Sequence, residues 1–278
     1  MFSRMLLLSA LLLASGCARL ARDPLPRGTR PSSELLLWEL YFAAVDNAKY
    51  PDRAEISKDL LPLLPSEGKL AWRDGRVLLV NWTKAEYYSD PSYRRGFEFP
   101  LYGNTWFTLF PVVRDFCTSF EGKDLAMRLR QRIGLPPDTE DDAFLEVWIR
   151  PEDVFRPCPD PEITDSQCQV EIPLVDFPPP PRDGTQPPWY CPPTGVAPRQ
   201  VGGQFQRVFQ THLSWMCSNW TSSYANEDPK ENYPWTALGY TYDWGNPEDP
   251  LGPSEYVALA GTRVIFERLV KTEAYCGR

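Results

Sequence analysis

The sequence predicts an α+β fold, built as a single disulfide-stapled domain, and three observations carry that expectation. Runs rich in β-branched and aromatic residues are mixed with segments of helical apolar spacing, without the strand–helix–strand rhythm of a parallel sheet. Six cysteines beyond residue 100 form an even set. Thirty prolines in 278 residues, about double the usual share of roughly 5%, break up regular structure where they crowd.

In chain order, Ser32 or Ser33 suits the cap of a helix through ELLLWELYFAAVDNA, which is apolar on most sides and so expected to be buried. A short second helix is expected around Ser57 to Leu64, ended by Pro65. LAWRDGRVLLVNW reads as a β-hairpin, because two β-rich runs flank Asp74-Gly75, a strong turn signal. Thr105 to Phe110 reads as a strand. Lys123 to Ile133 carries Leu125, Leu129 and Ile133 at helical spacing, with Gly134 and Pro136 as a stop. Phe144 to Ile149 is another strand. A proline-rich loop region follows at about 151–203. Phe205, Val208, Phe209, His212, Leu213, Met216 and Trp220 make a helical stripe, while alternation at Phe205, Phe209, Leu213 and Trp215 leaves a strand open. LGYTYDW, EYVAL and TRVIF then predict three strands of one antiparallel unit.

The first seventeen residues, MFSRMLLLSALLLASGC, have one arginine, an apolar run and a small-residue approach to Cys17. The run is far shorter than the roughly 20 apolar residues of a spanning helix, and it reads as a secretory signal over 1–16. The Ala14-Ser15-Gly16-Cys17 ending resembles the lipobox of bacterial lipoproteins, where cleavage before the cysteine precedes its lipidation. That resemblance implies a lipid-anchored (palmitate-bearing) envelope protein. Ala18 after the cysteine resembles the outer-membrane sorting pattern, with the domain facing the periplasm. Residues 17–33 would then be a flexible basic tether and 34–278 the folded domain.

Charge agrees with this division. Of 29 basic and 37 acidic residues, five and one respectively precede Glu34, leaving 24 against 36 in the body. Arg19, Arg22, Arg27 and Arg30 beside an anchor would be drawn to anionic headgroups. The acidic body argues against a nucleic-acid partner. Setting Cys17 aside leaves Cys117, Cys158, Cys168, Cys191, Cys217 and Cys276. In an exported chain these read as three disulfides. Cys158–Cys168 closes a short loop, and Cys191–Cys217 and Cys117–Cys276 follow by elimination. Zinc is disfavoured, since no pair has C-x2-4-C spacing and the chain holds one histidine.

Candidate chemistry is sparse. His212 would have to serve any Ser-His-Asp or Cys-His site, but it falls on the apolar stripe, and a hydrogen-bonded core histidine is the favoured reading. Asp160, Glu162 and Asp165 offer hard oxygens to calcium; a solvated acidic loop is the simpler reading, and no metal is expected. Asp138, Glu140, Asp141 and Asp142 are expected to repel one another and stay wet. On a strand, Tyr240, Tyr242 and Trp244 share a face that, with Trp235, suits either sugar stacking or the core, and the core is favoured. Asp243 and Glu255 are candidates for the acid and base of a glycan hydrolase or transferase.

EYVALAGT, with Glu255 six residues before Gly261, resembles the late strand of ADP-ribosyltransferase folds. That likeness implies a catalytic role for Glu255, although Pro253 stands where the family has Gln or Glu. The preferred expectation is a non-catalytic binding or assembly role at the periplasmic face, without a cofactor. The membrane, an envelope glycan or another envelope protein are its expected partners.

Overall fold

A computed structural model describes residues 33–171, 185–189, 191 and 204–278, with the side chains of 204–211 excepted. The signal, Cys17, the tether up to residue 32 and most of the proline-rich region lie outside the described residues, as do the side chains of Phe205, Val208 and Phe209. The fold is α+β. Helices α1 (Ser33–Ala48), α2 (Val112–Ser119), α3 (Leu125–Arg132), α4 (Gln204–Tyr224) and α5 (Thr272–Tyr275) accompany eight strands. These are β1 (Trp72–Arg73), β2 (Arg76–Thr83), β3 (Glu98–Pro100), β4 (Thr105–Leu109), β5 (Ala143–Ile149), β6 (Tyr240–Tyr242), β7 (Leu251–Ala258) and β8 (Arg263–Lys271). All pair antiparallel in the order β3-β8-β5-β2-β4-β7-β6, with β1 hairpinned onto β2. No described helix is long and apolar enough to cross a membrane.

The predicted hairpin forms as read, turning at Asp74 (φ 50°) and Gly75 (φ 72°), the two left-handed residues such a two-residue turn requires. The predicted three-strand unit is corrected. β6 pairs with β7, but β8 sits between β3 and β5, four places from β7. Only Leu259–Thr262 connects β7 to β8. Four strand spacings across a flat sheet measure about 19 Å, while five Cα steps reach about 17 Å fully extended. The connection is itself a turn, with the Thr262 amide donating to the Leu259 carbonyl, so the sheet must curl until β7 and β8 approach at one end.

Curling gives the sheet two buried faces. The concave face carries Val77, Leu79, Phe107, Leu109, Leu145, Val147, Ile149, Tyr256 and Val264, packed into one cluster. The convex face carries the alternate residues, among them Val80, Trp82, Trp106, Thr108, Phe144 and Glu255. There Val80, Trp82 and Phe144 pack with α2, α3 and the C-terminal segment around Leu129, Cys117 and Tyr275. Burial on both faces explains why β2 and β5 read as nearly continuous apolar runs, broken only at Asn81 and Glu146 between their ends, rather than alternating ones.

α1 buries Trp38, Tyr41, Ala44, Val45 and Ala48 against Leu213, Met216, Trp220 and Tyr224 of α4 and against Trp244. Burial on most sides does not occur: Leu36 and Leu40 are each 46% exposed. The expected helix at Ser57–Leu64 is absent. Pro62 cannot donate the amide a helix needs, and the segment is an extended run whose Leu60 and Leu63 amides donate to the Ser166 and Ile163 carbonyls. The α4 stripe resolves to helix. The three disulfides are Cys117–Cys276, Cys158–Cys168 and Cys191–Cys217.

Candidate functional site

The convex face holds a cavity of about 480 Å³ between β2, β4 and β7 on one side and α4 on the other. The segment after α3, Ile133 to Leu135, and the loop Tyr233 to Trp235 close its sides. Its aromatic walls include Trp106, Tyr233, Trp235 and Tyr242. Trp106 and Trp235 meet edge to face at 6.3 Å, and Trp215 packs within 6 Å of both, at 5.9 and 5.8 Å. Such a cluster fixes ring positions before any ligand arrives.

Glu255 enters this cavity from the middle of β7. The pleat decides its direction: Ser254 and Tyr256 point to the opposite face of the strand, so Glu255 faces the helices. It lies opposite Thr108 in the register and is 6% exposed. Among the described residues its Oε1 has no hydrogen-bond partner. Burial alone pushes its carboxyl up from the ordinary carboxylate range to about 8, so at neutral pH it is mostly protonated and can donate as well as accept. Asp141, also lining the cavity, is pushed up to about 6, again by burial. The Asn219 side-chain amide from α4 lines the same space, and its Nδ2 is buried with no acceptor among the described residues. Two acids line the cavity, and no described lysine, arginine or histidine does.

Ser222 and Tyr233 also line an adjoining open groove, which therefore forms a mouth to the cavity. The groove presents Asp138, Asp228 and Glu231 with Lys230 as its one described cation. Lys230 Nζ sits 4.8 Å from the Trp38 ring centre.

The structure separates the two carboxyls that the sequence paired. Asp243 is fully buried and accepts both guanidinium nitrogens of Arg128 at 2.7 Å, Nη1 of Arg132 at 3.0 Å and the Gly245 amide at 3.2 Å. Arg128 and Arg132 project together because they lie one turn apart on α3. With both oxygens occupied and no place in the cavity lining, Asp243 is a tie between α3 and the end of β6 rather than an acid or base. The aromatic strip goes to the core, the reading favoured from the sequence. Trp244 is 1% exposed and donates to the Leu135 carbonyl. Tyr240 donates to the Glu55 carbonyl and Tyr242 to Asn47 Oδ1. Trp235, also buried, donates to the Pro157 carbonyl. Of these four, only Trp235 and Tyr242 reach the cavity.

His212 is a core residue. Its Nε2 lies 2.7 Å from the Cys158 carbonyl oxygen, its ring stacks on Trp215, and burial lowers its affinity for a proton. The calcium candidates are spent on local contacts. Asp165 accepts from Arg156 at 2.8 Å, Glu162 accepts from the Thr164 and Asp165 amides, and Asp160 Oδ1 faces the Glu162 amide at 3.5 Å. Among the described residues no group of three metal ligands converges.

The acidic run does not stay uniformly wet either. Glu140 pairs with Lys84, Asp142 pairs with Lys271 and accepts from the Ala85 amide, and Asp141 between them is turned into the cavity. Sequence reasoning singled out Glu255, but it missed Asp141, Asn219 and Trp106 as its companions. No local signal marked Asp141: it stands two residues before the strand AFLEVWI, in phase with Leu145 on the opposite face. Asn219 and Trp106 carry no mark either, since only the packing of α4 over β4 brings them to Glu255. No family model, curated protein or solved structure matches this chain.

Proposed function

We propose that the chain is a lipid-anchored envelope protein whose folded domain holds a small organic ligand in the cavity beneath α4, in a binding role rather than a catalytic one. One observation carries the binding half: Glu255 is buried in an aromatic-walled cavity without a partner for its carboxyl oxygen among the described residues. Leaving such a group unpaired costs about 1–3 kcal/mol, and groups of this kind concentrate at binding sites. The occupation of Asp243 by two arginines counts against the hydrolase pairing read from sequence.

Ser222, exposed on α4 at the shared mouth, gives a test that spares the core. Protein extracted from its own membranes should carry a small-molecule mass by native mass spectrometry, and Ser222→Trp should lose it. A wild-type protein that acquires no such mass, even after incubation with the small-molecule fraction of the envelope, would overturn the reading.

The anchored half rests on the N-terminal segment. Cys17→Ser is expected to abolish incorporation of a labelled fatty acid and to release the protein from membranes. Retained label in that variant would end the lipoprotein reading.

A further inference from the structure

The charge inside the cavity says more than that something binds there. Glu255 and Asp141 bring two carboxyls into it, and no described cation lines it to answer them. The groove at its mouth adds Asp138, Asp228 and Glu231. The one described lysine there, Lys230, is placed over Trp38, within cation–π distance. The walls include the rings of Trp106, Tyr233, Trp235 and Tyr242, and aromatic ring faces attract an organic cation when it is desolvated. Beside them the Asn219 Nδ2 hydrogens point at no described acceptor.

We infer that the ligand is a small organic amine, bound as its ammonium ion against Glu255 within the aromatic walls, and bearing a hydroxyl or carbonyl oxygen for the Asn219 amide. This inference rests on the binding reading above and narrows it to a ligand class. A neutral sugar would leave two acids facing a ligand without charge. A carboxylate or phosphate would meet only acids.

The proton inventory makes the class measurable. Tyr224 of α4 feels the charge of Glu255 directly, Tyr240 of β6 feels it from the other face of the sheet, and both phenols are held protonated by burial well above neutral pH. From β4 the residue opposite is Thr108, which does not titrate. Tyr233 and Tyr242 on the walls are likewise raised by burial. Glu255, and Asp141 across the cavity, are therefore the groups that change charge between pH 5 and 8. An ammonium ion favours the ionised carboxylate, so its arrival expels the Glu255 proton. Because the complex binds fewer protons than the free protein, affinity rises with pH, by about tenfold per unit on approach to the free-protein value near 8, and then levels.

The experiment is calorimetric titration of the purified full chain with 2-phenylethylamine, 2-phenylethanol and N-acetylglucosamine. Each titration is run in two buffers of different ionisation heat, to count protons. The amine is expected to bind at least tenfold tighter than the alcohol, releasing about one proton at pH 7. Its affinity should tighten about tenfold from pH 6 to 7. Glu255→Gln should abolish most of the proton release and cut the preference for amine over alcohol at least severalfold, leaving what Asp141 alone supports. Binding of the alcohol or the sugar as tightly as the amine, lost in Ser222→Trp, would overturn the amine class while keeping the binding reading. Amine binding that persists unchanged in Ser222→Trp would place it elsewhere and overturn both. Failure of every probe at millimolar concentration would overturn the amine class, and the mass measurement above would then judge the binding reading alone.

Discussion

Replacing Glu255 with glutamine is expected to raise the thermal midpoint at pH 8 by roughly 10 °C, while leaving it unchanged near pH 4. The folded carboxyl titrates at about 8 against 4.5 for an ordinary glutamate, with burial as the cause. A raised folded value means that the proton stabilises the native state. Its contribution is complete below pH 4.5, where both states are protonated, and is lost progressively as pH rises to about 8. At 1.36 kcal/mol per unit, the loss over that window is on the order of 5 kcal/mol. For a domain of this size each kcal/mol moves the midpoint by about 2–4 °C. Glutamine keeps the shape and cannot ionise, so the variant should escape the share of the decline that Glu255 causes and keep only the smaller one from Asp141. Calorimetric melts from pH 4 to 8.5 decide the matter: parallel curves for the two proteins would show that Glu255 is not held protonated by its surroundings. A position that costs this much in stability, and whose Oε1 finds no hydrogen-bond partner among the described residues, has the character of a site kept for function.

The second large effect concerns the disulfide between α2 and the C-terminus. Cys117 and Cys276 are 159 residues apart, against 10 for Cys158 and Cys168. On the chain-entropy account, cross-linking so long a loop removes about 5 kcal/mol of unfolded-state freedom, and the short loop about 3. The double variant Cys117→Ser, Cys276→Ser should therefore lose more stability in denaturant titration than Cys158→Ser, Cys168→Ser. The reverse order would mean that native packing around these bridges, rather than loop length, sets their worth. Both pairs are fully buried or nearly so, which makes the comparison even-handed.

Those bridges were readable from the sequence because an even cysteine set with one short loop leaves few economical pairings. The hairpin at Asp74-Gly75 was readable because two residues dictate the turn. Most other strands and α3 were also visible locally, each bounded by a proline, a glycine or a charged cap such as Asp124, which accepts from the Met127 amide. What was not visible is what depends on distance. β8 looked like the neighbour of β7, yet its partners are Ala143–Trp148 and Glu98–Pro100. β3 is three residues long and has no signature apart from that pairing. α2 is short, two turns in which Val112, Val113, Phe116 and Cys117 keep helical spacing, and so brief a pattern was passed over. The site divides in the same way. Glu255 could be picked out as a carboxylate in an aromatic stretch, but Asp243 looked equally promising. Only the arrival of Arg128 and Arg132 from over a hundred residues away distinguishes the two.

The placement of β8 has a consequence for the order in which the protein can become itself. The final strand of the chain is an interior strand of the sheet, bonded on both sides, and the cysteine that follows it closes back onto α2. Tyr41 of the first helix donates to the carbonyl of Asn232, and Tyr242 donates to Asn47. Beginning and end are thus mutually dependent, and contacts of such sequence separation are slow to form. The sheet has no interior until the strand after residue 262 pairs on both sides, so the fold closes late and as a whole rather than growing outward from its N-terminal half.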